Sequence, residues 1–174
     1  DLEPKVDENI ELFSNITYHE GLVLKHCMTG QELFLTHGHQ ADWWNFLFWK
    51  WSRFMVRVLW KPLNVMGIAD PTSPAKNYKE LIKIERRTKK WITENNNLMT
   101  IVGHTHRPRF PEPGNIAFFN DGSCVHPRSI TGIEIENGAI SLIKWQIATK
   151  DDGTLQIVKA LLEGPVKLLD YKTE

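Results

Sequence analysis

The chain has few cysteines and no excess of either charge, and both shortages exclude classes of protein. Its 174 residues include two cysteines, Cys27 and Cys124, without C-x-x-C spacing. This excludes a disulfide framework and a zinc site built from cysteines, and it favours a reducing, cytoplasmic compartment. Lysine plus arginine equals aspartate plus glutamate at 21 each, so no net field favours nucleic acid as a partner.

Long uncharged apolar runs are also missing. The stretch 1–13 is acidic and lacks the apolar core of a signal peptide, so we expect no secretory signal there. A membrane-spanning helix needs about 20 apolar residues almost free of charge. The most apolar segment, 43–60, carries Lys50, Arg53 and Arg57 and does not meet this requirement. The length, with 41% apolar and 24% charged residues, predicts one globular domain over 1–174.

Strand-like and helix-like segments mix in the first half of the chain, and strands dominate the second half. The predicted strands lie at 15–24, 31–37, 98–104, 115–120, 129–136, 140–149 and 154–162. Apolar residues at helical spacing predict a helix over 78–96, and 43–60 contains neither glycine nor proline and also favours a helix. The pattern predicts a mixed α and β domain with a helical insertion at about 43–96.

Two pairs of histidines each follow a strand-like run and adjoin a glycine. His37 and His39 belong to LTHGHQAD, and His104 and His106 belong to TIVGHTHRP. In an extended strand, residues two apart point to the same side, so each pair would face one point in space. Neutral imidazole binds zinc, iron and nickel. The spacing favours a metal site if the two strands are neighbours, and the alternative is a pair of polar strand ends that are only hydrogen-bonded.

Three blocks of the sequence resemble the second half of the calcineurin-like metallophosphoesterases in order and spacing. They are THGHQAD, IVGHTHRP and FFNDGSCVHPRSITGIEI, and the resemblance runs from about residue 10 to about residue 165. The match is closest to bacterial proteins of the serine/threonine phosphatase-like type. It implies a β-sandwich flanked by helices, and hydrolysis of a phosphate monoester or diester by a hydroxide that two metal ions activate.

The resemblance also implies roles for individual residues. His37 and His104 would bind one metal ion and His106 the other, with manganese, iron, zinc or nickel as candidates. His39 and Asn120 would lie behind the metal ligands and support them. The substrate would be a phosphate ester that the sequence does not identify further.

Arg107 and Arg109 follow the second histidine pair in HTHRPRF. Arginine can grip phosphate oxygens in a bidentate manner, so both residues are candidates for contact with the substrate phosphate. The alternative for each is a solvated loop charge.

The family's N-terminal motifs have no counterpart in this sequence. These motifs are Asp-x-His, Gly-Asp-x-x-Asp and Gly-Asn-His-Asp/Glu, and they supply the bridging aspartate and the histidine that protonates the leaving group. No catalytic residue is therefore assigned in this chain. Without the bridging carboxylate two divalent ions repel each other strongly. We expect a truncated, C-terminal part of the fold that binds at most one metal ion, turns over little or no substrate and forms homo-oligomers through open sheet edges.

The segment 43–60 contains five of the seven tryptophans and 13 large apolar residues among 18. On a helix, its three cations fall within about 60° of one another. One interpretation is a lid helix packed on the body of the domain. The other is a cap whose cations meet a substrate or the anionic lipids of a membrane surface.

Three functions are compatible with this fold: an enzyme, a scaffold and a module that binds one metal ion. The same fold serves as a non-catalytic scaffold in the retromer coat, where the metal site is degenerate. A scaffold under no chemical demand need not keep both histidine pairs, so the two intact pairs favour an enzyme. A module of the same fold that binds a single metal ion without catalysis is the remaining alternative.

Overall fold

The computed structural model describes residues 17, 19–41, 54, 58, 78–126 and 128–172, with the backbone alone for Gln40 and Glu80. The elements are β1 (Gly21–Lys25), β2 (Glu32–Thr36), α1 (Tyr78–Glu94), β3 (Met99–Val102), β4 (Phe118–Asn120), β5 (Ser129–Glu136), β6 (Ala139–Thr149) and β7 (Leu155–Lys167). Short 3-10 helices lie at His39–Ala41 and Leu168–Tyr171. Predictions for 1–16 and for nearly all of 43–60 fall outside the described residues and stay predictions.

The predicted mixed α and β class is confirmed for the described residues, although some boundaries differ. β4 begins at Phe118 and not at 115, and β7 continues to Lys167 where the sequence predicted an end at 162. Gly164 and Pro165, residues that usually weaken a strand, lie within this extension. Pairing of Lys167 with Ala139, past two register shifts that each add a residue to β7, keeps this stretch in the sheet.

The first sheet, within the described residues, has the strand order β1-β2-β3-β4. β1 is antiparallel to β2, whereas β2, β3 and β4 are mutually parallel. Thr36 lies opposite Val102, and Val102 lies opposite Asn120. The carboxyl ends of the three parallel strands therefore lie level at one edge of the sheet.

The helix α1 covers one face of this sheet. Its buried residues Leu81, Ile84 and Ile92 recur at helical spacing, and Ile92 packs with Val102 and Phe118 of the sheet. Burial of this apolar stripe drives the helix onto the sheet, because the opposite side of α1 is charged and exposed. None of the described helices is long and apolar enough to cross a membrane.

The main core lies between the first sheet and a second, antiparallel sheet of order β5-β6-β7. Leu33, Met99 and Phe119 enter it from the first sheet and Ile140 from the second, and Tyr171 closes it. The Tyr171 hydroxyl donates a hydrogen bond of 2.6 Å to the carbonyl of Pro111. The described residues thus stack as helix, sheet and sheet.

Candidate functional site

The level carboxyl ends of the parallel strands bring both histidine pairs to one edge of the first sheet. His37 follows β2, Gly103 and His104 follow β3, and Asp121 follows β4. The Gly103 N–H donates a hydrogen bond of 3.2 Å to the carbonyl of His37, which continues the pairing of β2 and β3 beyond the strands. Ligand sites of open sheets with parallel strands lie characteristically at this edge.

The imidazoles form a cluster at this edge. The ring centroid of His37 lies 5.2 Å from that of His104 and 5.6 Å from that of His39. His37 and His106 are both exposed, and the Nδ1 of His106 lies 3.5 Å from the Ser123 hydroxyl. The rings of His39 and His104 therefore both contact the ring of His37. His106 lies two residues further along the loop after β3.

The backbone around the histidines is not extended, and this part of the sequence prediction was wrong. β2 ends at Thr36, and His39 begins a 3-10 helix. β3 ends at Val102, and His104 and His106 have left-handed φ angles of 62° and 55°. The pairs therefore do not meet by alternation along a strand. They meet because two loops turn over the same sheet edge.

A left-handed conformation costs a non-glycine residue about 1–2 kcal/mol, so the loop after β3 needs support from its surroundings. The buried Asn120 provides it. Its Nδ2 donates hydrogen bonds of 2.8 Å to the Gly103 carbonyl and 3.1 Å to the Thr105 hydroxyl, and its Oδ1 accepts one of 2.9 Å from the Gly122 N–H. Asn120 thus ties the loop after β3 to the loop after β4, with His104 between its two bonded neighbours.

Asp121 is a residue of the cluster that the sequence analysis missed. The Oδ1 of Asp121 lies 3.3 Å, and the Nδ1 of His37 lies 3.8 Å, from the point where a side chain on Gly103 would begin. Glycine at this position lets a carboxylate and an imidazole approach the same space. Burial raises the pKa of Asp121, and a backbone hydrogen bond and the charge of His106 oppose that shift. Asp121 lies in the FFNDGSCV block, but the resemblance gave it no role.

Burial, followed by the neighbouring imidazoles of His104 and His39, lowers the pKa of His37 to about 4. The ring is therefore neutral at pH 7, which is the form that binds metal ions. Side chains of the cluster thus disfavour positive charge at His37.

Acidification is expected to destabilise the metal-free chain partly through His37. The unfolded chain takes up this proton near pH 6.5 and the folded chain only near pH 4, so stability is lost as the pH falls through 6.5 and the loss is complete near 4. Urea unfolding with chelator at about pH 7.5 and about pH 5 measures the loss. It should be smaller in His37→Asn than in wild type or His26→Asn, whose site lies at the other end of β2. Equal losses in all three would contradict the assignment.

Arg109 is held towards α1. Its Nε donates a hydrogen bond of 2.7 Å to the Glu85 carboxylate, and its backbone exchanges two hydrogen bonds with Asn120. Contact of Arg109 with a phosphate would require this ion pair to open. The phosphate role of Arg107, which is exposed, and of Arg109 stays a prediction.

The side chains of the cluster are of the types that bind divalent metal ions, but their positions do not form a complete site. Neutral imidazoles and a carboxylate are ligands for zinc, manganese, iron and nickel. Among the residues that the structure describes, however, no three histidine, cysteine, aspartate or glutamate side chains are placed so that they could hold an ion. The cluster therefore fits part of a metal site, and a complete site needs donors beyond those that the described residues bring together.

Comparison with protein families and with curated proteins found no match. Among solved structures, the chain is similar to Vps29 from Chaetomium thermophilum, with a TM-score of 0.39 and 10% identity over 88% of this chain and 64% of that chain. It is also similar to wild-type Vps29 from Entamoeba histolytica complexed with Zn²⁺, with a TM-score of 0.33 and 18% identity over 83% and 61%. The chain spans less than two thirds of each Vps29 chain, and a likeness at these values assigns neither a family nor a function.

Proposed function

We propose that this chain carries part of the metal site of a metal-dependent phosphoesterase with the calcineurin-like fold. The observation that carries the proposal is the 5.2 Å between the rings of His37 and His104. The motif resemblance gives these two histidines one shared metal ion. The parallel register of β2 and β3 supports the same pairing on independent grounds, since it follows from strand order and not from the motifs.

The proposal gives His37, Asn120 and Asp121 separate roles at the metal site. A divalent ion, when bound, would polarise a phosphate ester and would lower the pKa of a water molecule enough to supply hydroxide as the nucleophile near neutral pH. His37 offers a neutral imidazole, and Asn120 fixes the loop that carries His104. We further propose Asp121 as an oxygen donor beside His37, because both side chains reach the space in front of Gly103.

Substitution of Asp121 tests that assignment. Asp121→Asn keeps the size of the side chain and removes its charge, and we expect it to weaken Co²⁺ binding by about tenfold or more, since even the loss of a group that only supports a ligand costs about tenfold. The visible absorption of bound Co²⁺ measures the affinity. Asp152→Asn serves as the control, since Asp152 lies in an exposed turn, where its carboxylate accepts hydrogen bonds from the Thr154 N–H and hydroxyl. Equal affinities for the two variants would contradict a role for Asp121 in metal binding.

Inorganic phosphate is the probe for the proposed reaction class. Added to the Co²⁺-loaded chain, phosphate should change the visible spectrum, because a phosphoesterase site leaves metal positions open to phosphate oxygens.

Hydrolysis of bis-p-nitrophenyl phosphate and p-nitrophenyl phosphate with manganese should stay near the buffer rate, because the described donors do not complete the site. Chelator-sensitive turnover that His37→Ala abolishes would support a phosphoesterase. It would contradict the claim that the metal site is incomplete.

A non-catalytic module that binds a single metal ion, or a scaffold of the same fold, is the second candidate. The incomplete donor set among the described residues favours it. Co²⁺ binding that phosphate leaves unchanged would select the single-metal module. Absence of Co²⁺ binding would overturn both metal-dependent proposals and leave the scaffold.

A further inference from the structure

The outward face of the second sheet is unusually apolar. Ile133 and Ile140 point from this sheet into the main core, so the residues that alternate with them point outward. Six large outward residues are between 39% and 73% exposed: Ile130, Trp145, Ile147, Leu155, Ile157 and Leu161. We call these six residues the outer face.

The strand register makes the outer face continuous. Ile130 of β5 lies opposite Trp145 of β6, and Ile147 of β6 lies opposite Ile157 of β7. Neighbours directly opposite on one face are within side-chain contact distance. The apolar surface therefore runs across all three strands.

An ion pair lies beside Trp145 of the outer face. Lys159 Nζ lies 2.6 Å from the Glu134 carboxylate and 6.0 Å from the centre of the Trp145 ring. A paired charge costs less to bury than a lone one, although the pair itself adds little stability. Around Trp145, the outer face therefore suits an apolar, neutral partner.

The size of the outer face decides the kind of partner. At about 200 Å² for a fully exposed large residue, the six residues leave on the order of 700 Å² accessible. The largest apolar patch of a monomer is about 300–600 Å². Each partner in a standard interface buries about 800 Å². The outer face is therefore larger than the usual apolar patch of a monomer and nearly as large as one side of a standard interface.

We propose that the outer face is a dimer interface on which two copies of this chain stack their β5-β6-β7 sheets about a twofold axis. A twofold interface uses the same surface of both copies, so a neutral apolar face of this area is matched by itself. Two stacked sheets pack about 10 Å apart with interdigitating side chains. This surface differs from the open sheet edges through which the sequence predicts association.

Sedimentation velocity over about 1 to 100 µM tests the proposal on the 174-residue chain. Wild type should form a dimer. Ile157→Glu should raise the dissociation constant by about tenfold or more, because the dimer would bury an unpaired carboxylate. Met28→Glu is the matched control, since Met28 is an exposed apolar residue in the turn between β1 and β2, outside the outer face.

A second variant keeps the test decisive if Ile157→Glu loses its fold. The double variant Ile147→Thr/Ile157→Thr removes apolar area and keeps β-branched side chains that suit a strand. Circular dichroism checks that each protein is folded. A wild type that stays monomeric up to the highest concentration would overturn the proposal, and so would a dimer that the folded double variant leaves unchanged.

Discussion

Asn120→Ala is expected to lower the free energy of unfolding by about 3 kcal/mol, because it leaves buried hydrogen-bonding groups without partners. The wild-type side chain bonds the Gly103 carbonyl, the Thr105 hydroxyl and the Gly122 N–H. Alanine cannot replace these bonds, and water has little access to a side chain that is 1% exposed. Urea unfolding, monitored by circular dichroism with chelator present, measures the loss.

The same substitution should also weaken metal binding by about tenfold, since Asn120 holds the left-handed loop that carries His104. Asn115→Ala is the matched control because Asn115 is exposed. We expect it to change stability by less than about 0.5 kcal/mol. A loss below about 1 kcal/mol in Asn120→Ala would contradict the structural role assigned to Asn120.

Gly122→Ala is expected to destabilise the chain by about 3 kcal/mol through two effects that add. The φ of Gly122 is +84°, where an L side chain is strained. A Cβ at this position would also lie 2.1 Å from the Thr131 hydroxyl, which accepts a hydrogen bond of 2.9 Å from the Ser123 N–H. Relief of the clash would move Thr131 and loosen the loop after β4. Thermal and urea unfolding both report this loss.

Gly114→Ala separates the two effects. Gly114 has a similar φ of +87°, and a Cβ there would meet no atom within 4 Å. It should therefore cost only the left-handed strain, about 1 kcal/mol. If Gly114→Ala and Gly122→Ala cost the same, the close approach to Thr131 contributes nothing.

The sequence predicted most elements of the described fold because their apolar patterns are strong. Strand-like apolar runs predicted β5 and β6, and apolar residues at helical spacing, among them Leu81 and Ile84, predicted α1. β7 extends beyond the predicted end at 162, through Gly164 and Pro165, although glycine and proline are weak strand formers. Pairing with buried β6 outweighs that local preference, and tertiary pairing is not visible in a local pattern.

The candidate site was predictable in its composition and not in its geometry. The motifs indicated His37 and His104, which lie in ring contact. They could not indicate left-handed backbones at His104 and His106, because these depend on a hydrogen bond from Asn120 to a loop that is distant in sequence. Asp121 was missed for a related reason: only the level ends of β3 and β4 bring it to the cluster.

The exposed outer face of the second sheet also lay beyond sequence reasoning. Alternation places Ile140 and Ile147 on opposite faces of β6, but both residues are isoleucines, so residue type does not tell which face is buried. The structure assigns Ile140 to the core and Ile147 to the surface. β6 pairs residue for residue with β5 from Ala139 to Gln146, so its alternation is unbroken, and only the packing of Ile140 against the first sheet shows which face is buried.

The central claim is that His37 and His104 share a divalent metal ion at the edge of the first sheet, and equilibrium dialysis against Zn²⁺ tests it most directly. The metal bound per chain would be measured by atomic absorption for wild type, for His37→Ala/His104→Ala, and for His26→Ala, which lies at the other end of β2. We predict one zinc per chain in wild type and in His26→Ala, and none in the double variant. Equal zinc in all three proteins, or none in wild type, would contradict the claim.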